Sequence, residues 1–314
     1  MKLRIGHLST FYHTAMLLMA QRDIEQRLGI VVDWRLHGTG PSIVEAFENR
    51  EIDIAYIGLP PAIIGIDRGV QIVCIAGGHV EGTVISGGNR FADVSALADL
   101  PLVLEQFRGE VIGVPGKGSI HDVILTELLD RCGLRETVKV VNFSWADQAT
   151  EAAARGLIAA AVGTPALGVS LRHYAGFKLL CPASQIWPNN PSYGIVVGRD
   201  FLHKERDIVR QFLGIHEEAT LFLRSRPEEA AAVIAQYIGF VEADFVLETL
   251  QVSPKYCADL SGGYIRSTMQ FVGCLKRLGY ISREVCQEEI FDASLIRTVH
   301  PGPDHYGSAP VLSS

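Results

Sequence analysis

The stretch IVVDWRLHGTGPSIVEAFENREIDIAYIGLPP, residues 30–61, decides the fold of this chain. Residues 30–36 and 52–57 are rich in β-branched and aromatic side chains, which predicts two strands. Between them, glycine and proline form an elbow at 37–41, and a helix opens directly after it. A strand, a helix and a second strand in this order form a βαβ unit, so we expect a parallel sheet with crossover helices.

The same alternation continues on both sides of this unit. We predict further strands at 3–8, 71–77, 110–114, 138–143, 158–162, 178–180 and 195–197, and helices at 14–28, 62–67, 94–108, 120–132, 146–155, 207–224 and 227–237. The predicted fold class is α/β, with two Rossmann-like lobes, a ligand cleft between them and a helical C-terminal region. Lobe I comprises residues 1–86 and 191–314 and lobe II residues 87–190, because strand 195–197 can return to the first sheet.

Composition excludes several classes of protein. The chain has 314 residues, of which 48% are apolar and 20% charged, so it can bury a sizeable core and is not disordered. Its net charge of -7 argues against a nucleic-acid partner, although a local site can still bind an anion. No run of eighteen apolar residues occurs, so we predict no transmembrane segment.

The six cysteines form no CxxC pair, and the sequence contains no HxH or HExxH motif. We therefore predict no metal site and no cofactor. His300 and His305 lie in a tail rich in proline and glycine, which we expect either to wrap over the surface in an extended form or to be disordered. Unpaired thiols are commoner in reducing compartments, which favours the cytoplasm.

The N-terminus runs from Met1 directly into a strand pattern, without the charged and apolar regions of a secretion signal. Two expectations follow. If a leader has been removed, the protein is periplasmic or attached to the cell envelope; otherwise it is cytoplasmic.

The candidate site lies at the elbows that follow the strands, because ligands of open α/β sheets bind at the carboxyl ends of the strands, near helix N-termini. Thr10 and His13 belong to the first elbow. The run 114–119 resembles a phosphate-binding loop but lacks the GxxxxGK[ST] spacing. Ser119 therefore either belongs to a cradle for an anion or polar ligand, or simply caps the helix that follows.

Other candidates lie where the chain leaves the first lobe or flank the expected cleft mouth. His79 either donates to an anion or lies in a solvated crossover, and the neighbouring Glu81 accepts from an amine or supports His79. Trp145 and Tyr193 either stack on a ligand or pack under a helix. The sequence has no GxSxG motif, and we assign no catalytic residue.

Several blocks resemble the solute-binding proteins of ABC transporters, in the branch for sulfonate, nitrate, taurine and the thiamine pyrimidine. They are residues 38–47, 51–58, 113–119, 152–162 with Thr164-Pro165, and 227–231, in order along nearly the whole chain. The resemblance implies a type II periplasmic-binding-protein fold that closes by hinge motion over a small molecule, with an ABC permease as partner.

Matched positions in that family imply the ligand contacts Thr10, His13, Thr39, Gly40, Leu59, Pro60, Ser119, Trp145 and Thr164, and the crossover interpretation adds His79, Asn190 and Tyr193. The chain departs from the family pattern at Gly163-Thr164, where an aromatic and an acidic residue often precede the proline. It also has no arginine in its elbows. Helix N-terminal amides, hydroxyls and histidine would therefore have to hold an anion.

Two functions are compatible with these residues. The first is a solute-binding protein that captures a small polar or anionic molecule (a sulfonate, nitrate, a carboxylate or a pyrimidine) for an ABC importer. The second is a cytoplasmic enzyme on the same fold, acting on a small organic acid or pyrimidine precursor, as in menaquinone or thiamine-pyrimidine synthesis. His13, His79 and Glu81 motivate the enzyme, whereas nothing in the sequence demands chemistry.

Overall fold

The computed structural model describes residues 1–307. Within them the strands are β1 (Lys2–Leu8), β2 (Val31–His37), β3 (Ile54–Ile57), β4 (Ile72–Val80), β5 (Val84–Gly87), β6 (Val111–Pro115), β7 (Lys139–Phe143), β8 (Ala160–Gly163), β9 (Lys178–Cys181) and β10 (Pro191–Gly198). The helices of the first two thirds of the chain are α1 (Thr14–Gln21), α2 (Ile24–Leu28), α3 (Gly40–Glu48), α4 (Leu59–Asp67), α5 (Val94–Leu97), α6 (Leu100–Glu105), α7 (Ile120–Arg131), α8 (Ala146–Ala154), α9 (Pro165–Ala175) and α10 (Ala183–Ile186).

The last third of the described chain is helical, as predicted from residue 204 onward. Its helices are α11 (Arg199–Lys204), α12 (Arg206–Ser225), α13 (Pro227–Ile238), α14 (Ala243–Val252), α15 (Gly262–Arg277), α16 (Gln287–Ile290) and α17 (Ile296–Val299). Helices α12 and α13 pack on α1, α15 packs on α4, and α14 reaches α9. No helix among residues 1–307 combines the length and the apolar character that crossing a bilayer requires.

The strands form two sheets of five. In the first sheet the order is β2-β1-β3-β10-β4; β1 runs parallel to β2 and β3, and β10 returns antiparallel between β3 and β4. In the second sheet the order is β7-β6-β8-β5-β9, with β6 parallel to β7 and β8 and with β5 antiparallel to β8 and β9. The predicted α/β architecture of two lobes is confirmed, including the return of the chain to the first sheet.

Three local predictions differ from the structure. The helix predicted at 14–28 is broken, because Arg22 adopts a left-handed conformation with φ of 59° and ends α1. The helix predicted at 94–108 is divided into α5 and α6 by Ala98, whose φ is 61°. Strand β5 and helix α9 were not predicted; β5 belongs to the second sheet, and the predicted limit of lobe I at residue 86 falls inside it.

Two short segments connect the lobes and contact each other. The first lies between β4 and β5, and the second precedes β10. The backbone N–H of Glu81 donates to the carbonyl of Asn190 at 2.8 Å, and the Glu81 carboxylate accepts from the backbone N–H of Asn189 at 3.0 Å. Lys255 also donates to Glu81 at 2.7 Å, so the amine that Glu81 was expected to face belongs to the protein itself.

Candidate ligand-binding site

A cavity of about 50 Å³ lies between the two sheets, beyond the carboxyl ends of their parallel strands. Residues of the first lobe that line it are Leu8, Ser9, Thr10, Tyr12, His13, Gly38, Thr39, Gly40, Gly58, Pro61 and Ser192, and those of the second lobe are Pro115, Ser119, Ile120, His121, Ala146 and Thr164. The elbows that the sequence singled out therefore face one common space.

Six helices begin at this cavity. Helices α1, α3 and α4 approach from the first sheet, and their N-cap residues His13, Thr39 and Gly58 all line it. Helices α7, α8 and α9 approach from the second sheet; Ser119 and Thr164 are the N-caps of α7 and α9, and Ala146 is the first residue of α8. Each N-terminus presents backbone N–H groups that have no partner inside the helix.

Local sequence explains why the helices start at these residues. Thr39 accepts a hydrogen bond from the backbone N–H of Ser42, and Ser42 reciprocates, which makes a capping box. Ser119 accepts from the backbone N–H of Asp122 at 3.2 Å, and Thr164 from that of Leu167 at 3.1 Å. In each case the cap uses the hydroxyl oxygen as an acceptor. The hydroxyl of Ser119 itself donates to the carbonyl of Pro115 at 3.4 Å, and that of Thr39 donates to Oγ of Ser42 at 3.5 Å. Of the three hydroxyl protons, only that of Thr164 has no acceptor among the described residues.

The electrostatic character of the cavity comes from these helices. Among the described residues, no lysine, arginine, aspartate or glutamate lines it. The N-terminus of a helix carries roughly half a positive charge through its macrodipole, and it attracts anions. Six such termini around a cavity without charged side chains favour a ligand with negative charge or with several hydrogen-bond acceptors.

The two histidines of the cavity are neutral imidazoles. Burial lowers the pKa of His121 from 6.5 to about 3. Burial also lowers the pKa of His13 well below its usual value, and the neighbouring histidines lower it further. A neutral imidazole offers one N–H donor and one acceptor. Thr83 Oγ1 lies 3.0 Å from His121 Nδ1, so with Thr83 as donor the other ring nitrogen of His121 is the N–H donor.

Two polar atoms at the cavity have no hydrogen-bond partner among residues 1–307. They are Oγ1 of Thr10 and Nδ1 of His13, both in the first elbow and both buried. The His13 ring packs against Tyr193, with 4.1 Å between ring centroids, and against Tyr12 at 4.7 Å. Because an unpaired buried polar atom is costly, these two atoms are natural partners for a bound molecule.

Six of the twelve predicted contact residues line the cavity: Thr10, His13, Thr39, Gly40, Ser119 and Thr164. Leu59 and Pro60 do not, because they form the buried first turn of α4, and the residues on either side of them, Gly58 and Pro61, line the cavity instead. Trp145 lies at the mouth, where its ring covers Gly38.

The remaining three predicted residues lie behind the site. Tyr193 Oη lies 2.6 Å from Oγ1 of Thr14, in the first turn of α1. His79 stacks on Tyr193 with an interplanar angle of 9°, and burial lowers its pKa to about 3. Asn190 donates to the backbone carbonyl of Trp187 at 2.9 Å. Tyr193 and His79 support the first elbow, which for Tyr193 is the packing alternative, whereas Asn190 bonds within the segment that connects the lobes.

Four polar residues of the cavity were not predicted: Ser9, Tyr12, His121 and Ser192. Ser9 and Tyr12 belong to the first elbow, which the sequence had identified. Their position beside Thr10 and His13 was therefore a signal from which both contacts could have been predicted. His121 carries no motif, since only its place in the first turn of α7 brings it to the cavity. Ser192 begins the return to the first sheet, and its Oγ lies 2.9 Å from Tyr12 Oη.

Glycines allow the two lobes to approach each other closely. A Cβ atom on Gly116 would lie 2.7 Å from Cγ2 of Thr39, and a Cβ on Gly38 would lie 2.5 Å from the carbonyl oxygen of Ser144. In both pairs one residue follows a strand of the first sheet and the other a strand of the second. The cleft is therefore closed at its rim.

The model of the NMT1-like family matches residues 1–239, about three quarters of the chain. A Brucella abortus (strain 2308) protein named as a binding protein is 23% identical over 248 residues, covering 78% of this chain and 74% of that protein. A protein of the same description from Brucella suis biovar 1 (strain 1330) matches to the same extent.

Solved structures show the same fold. The alkanesulfonate-binding protein SsuA from Xanthomonas axonopodis pv. citri, bound to MOPS, matches with a TM-score of 0.79 at 18% identity, covering 92% of this chain and 98% of that one. The periplasmic nitrate-binding protein NrtA from Synechocystis PCC 6803 matches with a TM-score of 0.77 at 12% identity, covering 98% and 91%. The periplasmic-binding-protein fold predicted from the resemblance is confirmed.

Proposed function

The chain belongs to the NMT1-like family, and on that premise we propose that it is a solute-binding protein that captures a small anion in the cleft between its lobes. The observation that supports this most strongly is the convergence of six helix N-termini on one cavity, three from each sheet. Such an arrangement binds a ligand through backbone amides and needs no reactive side chain.

The proposed class of ligand follows from the volume of the cavity and from the positive helix ends around it. The volume of about 50 Å³ corresponds to roughly four water-sized positions, which suits an oxyanion or a sulfonate head group with a short apolar extension. Leu8, Pro61 and Ile120 supply apolar wall for that extension. The names of the structural neighbours, an alkanesulfonate-binding and a nitrate-binding protein, support the same class. Carboxylates and pyrimidines are the other ligands to test.

As partner we propose the permease of an ABC importer, and as location the periplasm or cell envelope. Both proposals rest on the periplasmic binding proteins that share the fold. Fractionation of cells that express the natural full-length gene tests the location, because a cytoplasmic protein would fractionate with cytoplasmic markers.

The enzyme alternative has less support from the site. A general base works best with a pKa near the operating pH, whereas burial lowers the pKa of both cavity histidines far below it. Among the described residues, no carboxylate lines the cavity to assist them. Mass spectrometry of each bound compound after incubation tests this point, since a transport protein returns its ligand unchanged.

The deciding experiment is calorimetric titration with nitrate, methanesulfonate, acetate, taurine and aminopyrimidine. Methanesulfonamide is the matched control, because it has nearly the size and shape of methanesulfonate but no charge. We expect at least one oxyanion to bind and the sulfonamide to bind at least about tenfold more weakly, a difference of about 1.4 kcal/mol. Equal binding of the charged and the neutral compound would contradict the proposed anion class.

A further inference from the structure

Three side chains that could hold a metal come together outside the lining of the cleft cavity. Sγ of Cys257 lies 3.8 Å from Nε2 of His300 and 3.6 Å from Nδ1 of His305. One potential ligand atom from each residue lies within 4.8 Å of the other two. All three residues follow residue 239, where the match to the family model ends.

These separations are close to those of a zinc site. Zinc bonds thiolate sulfur at about 2.3 Å and imidazole nitrogen at about 2.0–2.1 Å, so tetrahedral geometry places the sulfur and nitrogen ligands about 3.6 Å apart. The two observed sulfur–nitrogen distances, 3.6 and 3.8 Å, agree with this value. A cation can therefore be coordinated after small side-chain movements.

Hydrogen bonds from neighbouring groups orient the side chains of His300 and Cys257. Glu217 Oε1 lies 2.8 Å from Nδ1 of His300, so this nitrogen donates. The other nitrogen, Nε2, faces Cys257 and also lies 3.1 Å from the carbonyl oxygen of Pro303, a contact that a bound metal would replace. A carboxylate behind a metal-binding histidine is a common arrangement, and it fixes the tautomer of the ring. The backbone N–H of His305 donates to Cys257 Sγ at 3.3 Å and so helps to hold the sulfur in place.

The backbone around the cluster is also fixed. The N–H of Cys257 donates to the carbonyl of Gly78 at 3.2 Å, so this segment lies along the outer edge of β4. Tyr306 Oη donates to the carbonyl of Cys257 at 2.7 Å and thereby fastens the C-terminal segment. Cys257 is fully buried and His300 nearly so, whereas residues 301–304 are exposed and His305 half-buried, which gives a cation a route of entry.

We propose that Cys257, His300 and His305 bind a Zn²⁺ ion, with water in the fourth position. Binding replaces the thiol proton of Cys257 by the metal and releases that proton to solvent, without any redox step. The ion joins the C-terminal segment to the edge of the first sheet, beside the strand that leads into the crossover to the second lobe.

Zinc stoichiometry and affinity of the full, tag-free chain test this proposal. The protein is stripped with a chelator, dialysed against Zn²⁺ and measured by elemental mass spectrometry; Co²⁺ is then used as a spectroscopic probe. We expect one zinc per chain and a thiolate-to-cobalt charge-transfer band. Cys257→Ser removes the band, and His305→Ala, at a half-buried position, lowers zinc affinity by at least about 100-fold. Glu217→Gln lowers it by about 10- to 100-fold.

The matched controls are Cys286→Ser and His203→Ala, which change an exposed cysteine and an exposed histidine and should bind zinc like the unchanged chain. Circular dichroism confirms that each variant is folded. The proposal is overturned if the folded chain binds no zinc, if the cobalt complex lacks the thiolate band, or if His305→Ala binds zinc as tightly as the unchanged chain. Loss of binding in the control variants would locate the metal elsewhere and would also overturn it.

Discussion

Tyr280 donates a hydrogen bond from its phenolic hydroxyl to Oδ2 of Asp122 at 2.7 Å, and this bond joins the two lobes beside the cavity. Tyr280 follows α15, which packs on α4 of the first lobe. Asp122 lies in the first turn of α7 in the second lobe, and it also accepts from the backbone N–H of Gly118 at 2.7 Å. The contact therefore fixes one of the helix N-termini that form the site.

Tyr280→Phe removes this bond and keeps the ring. We expect ligand affinity to fall by about fivefold, because a hydrogen bond of about 1 kcal/mol that stabilises the closed cleft is lost. Titration calorimetry with the oxyanion that binds the unchanged protein measures the effect. Tyr237→Phe, at an exposed position, is the control. Unchanged affinity in Tyr280→Phe would mean that the bond does not contribute to closure.

His13→Ala removes the unpaired Nδ1 atom from the first elbow. We expect affinity for the anion to fall by about tenfold or more, since the ligand loses a polar partner and gains a void beside it. The control is His203→Ala, which changes an exposed histidine. His13→Asn keeps a polar side chain and should recover part of the affinity. If His13→Ala binds as tightly as the unchanged protein, His13 does not contact the ligand.

Gly116→Ala tests the close approach of the lobes. Its new Cβ would lie 2.7 Å from Cγ2 of Thr39, so the closed cleft would be strained while each lobe stays intact. We expect weaker ligand binding, with a more open shape in small-angle scattering. Adding Thr39→Ser removes the clashing methyl, keeps the capping hydroxyl and should restore part of the affinity. Gly273→Ala, where a Cβ meets nothing within 4 Å, should change neither property.

His121 makes stability depend on pH in a defined direction. Burial lowers its pKa to about 3 from 6.5, so between these values the unfolded chain binds a proton that the folded chain does not. The free energy of unfolding therefore falls as pH falls below 6.5, by up to about 1.4 kcal/mol per pH unit for this residue. Urea denaturation at pH 7, 6 and 5 measures the slope.

The matching variant is His121→Asn, which still presents a polar group to Thr83 but does not titrate. Its unfolding free energy should depend less steeply on pH than that of the unchanged protein. His203→Asn, at an exposed position, should keep the original slope. The assignment fails if His121→Asn and the unchanged protein show the same slope between pH 7 and 5.

The sequence predicted the architecture because helix starts and strands leave local signals. Thr39 with Pro41, and Ser119, mark two helix N-termini by residue type alone. Thr164 with Pro165 carries the same signal, although helix α9 was not predicted from it, and all three caps line the cavity. Contacts between distant segments leave no such signal. His121 reaches the site only through the packing of α7, and Cys257 and His300 meet across 43 positions of sequence. For the tail, the sequence left an extended wrap and disorder both open; as far as residue 307 the structure describes it, and Tyr306 attaches it to the carbonyls of Cys257 and Asp259.

The division of the six helix N-termini between the lobes has a consequence for how a ligand leaves. Each lobe supplies three, so the positive ends surround the ligand only while the lobes are together. Separation by a few ångströms leaves the anion with one set of three and exposes it to water, which competes for the same amides. A membrane partner that holds the lobes apart would thus lower affinity without touching the ligand, and release would need no change of protonation.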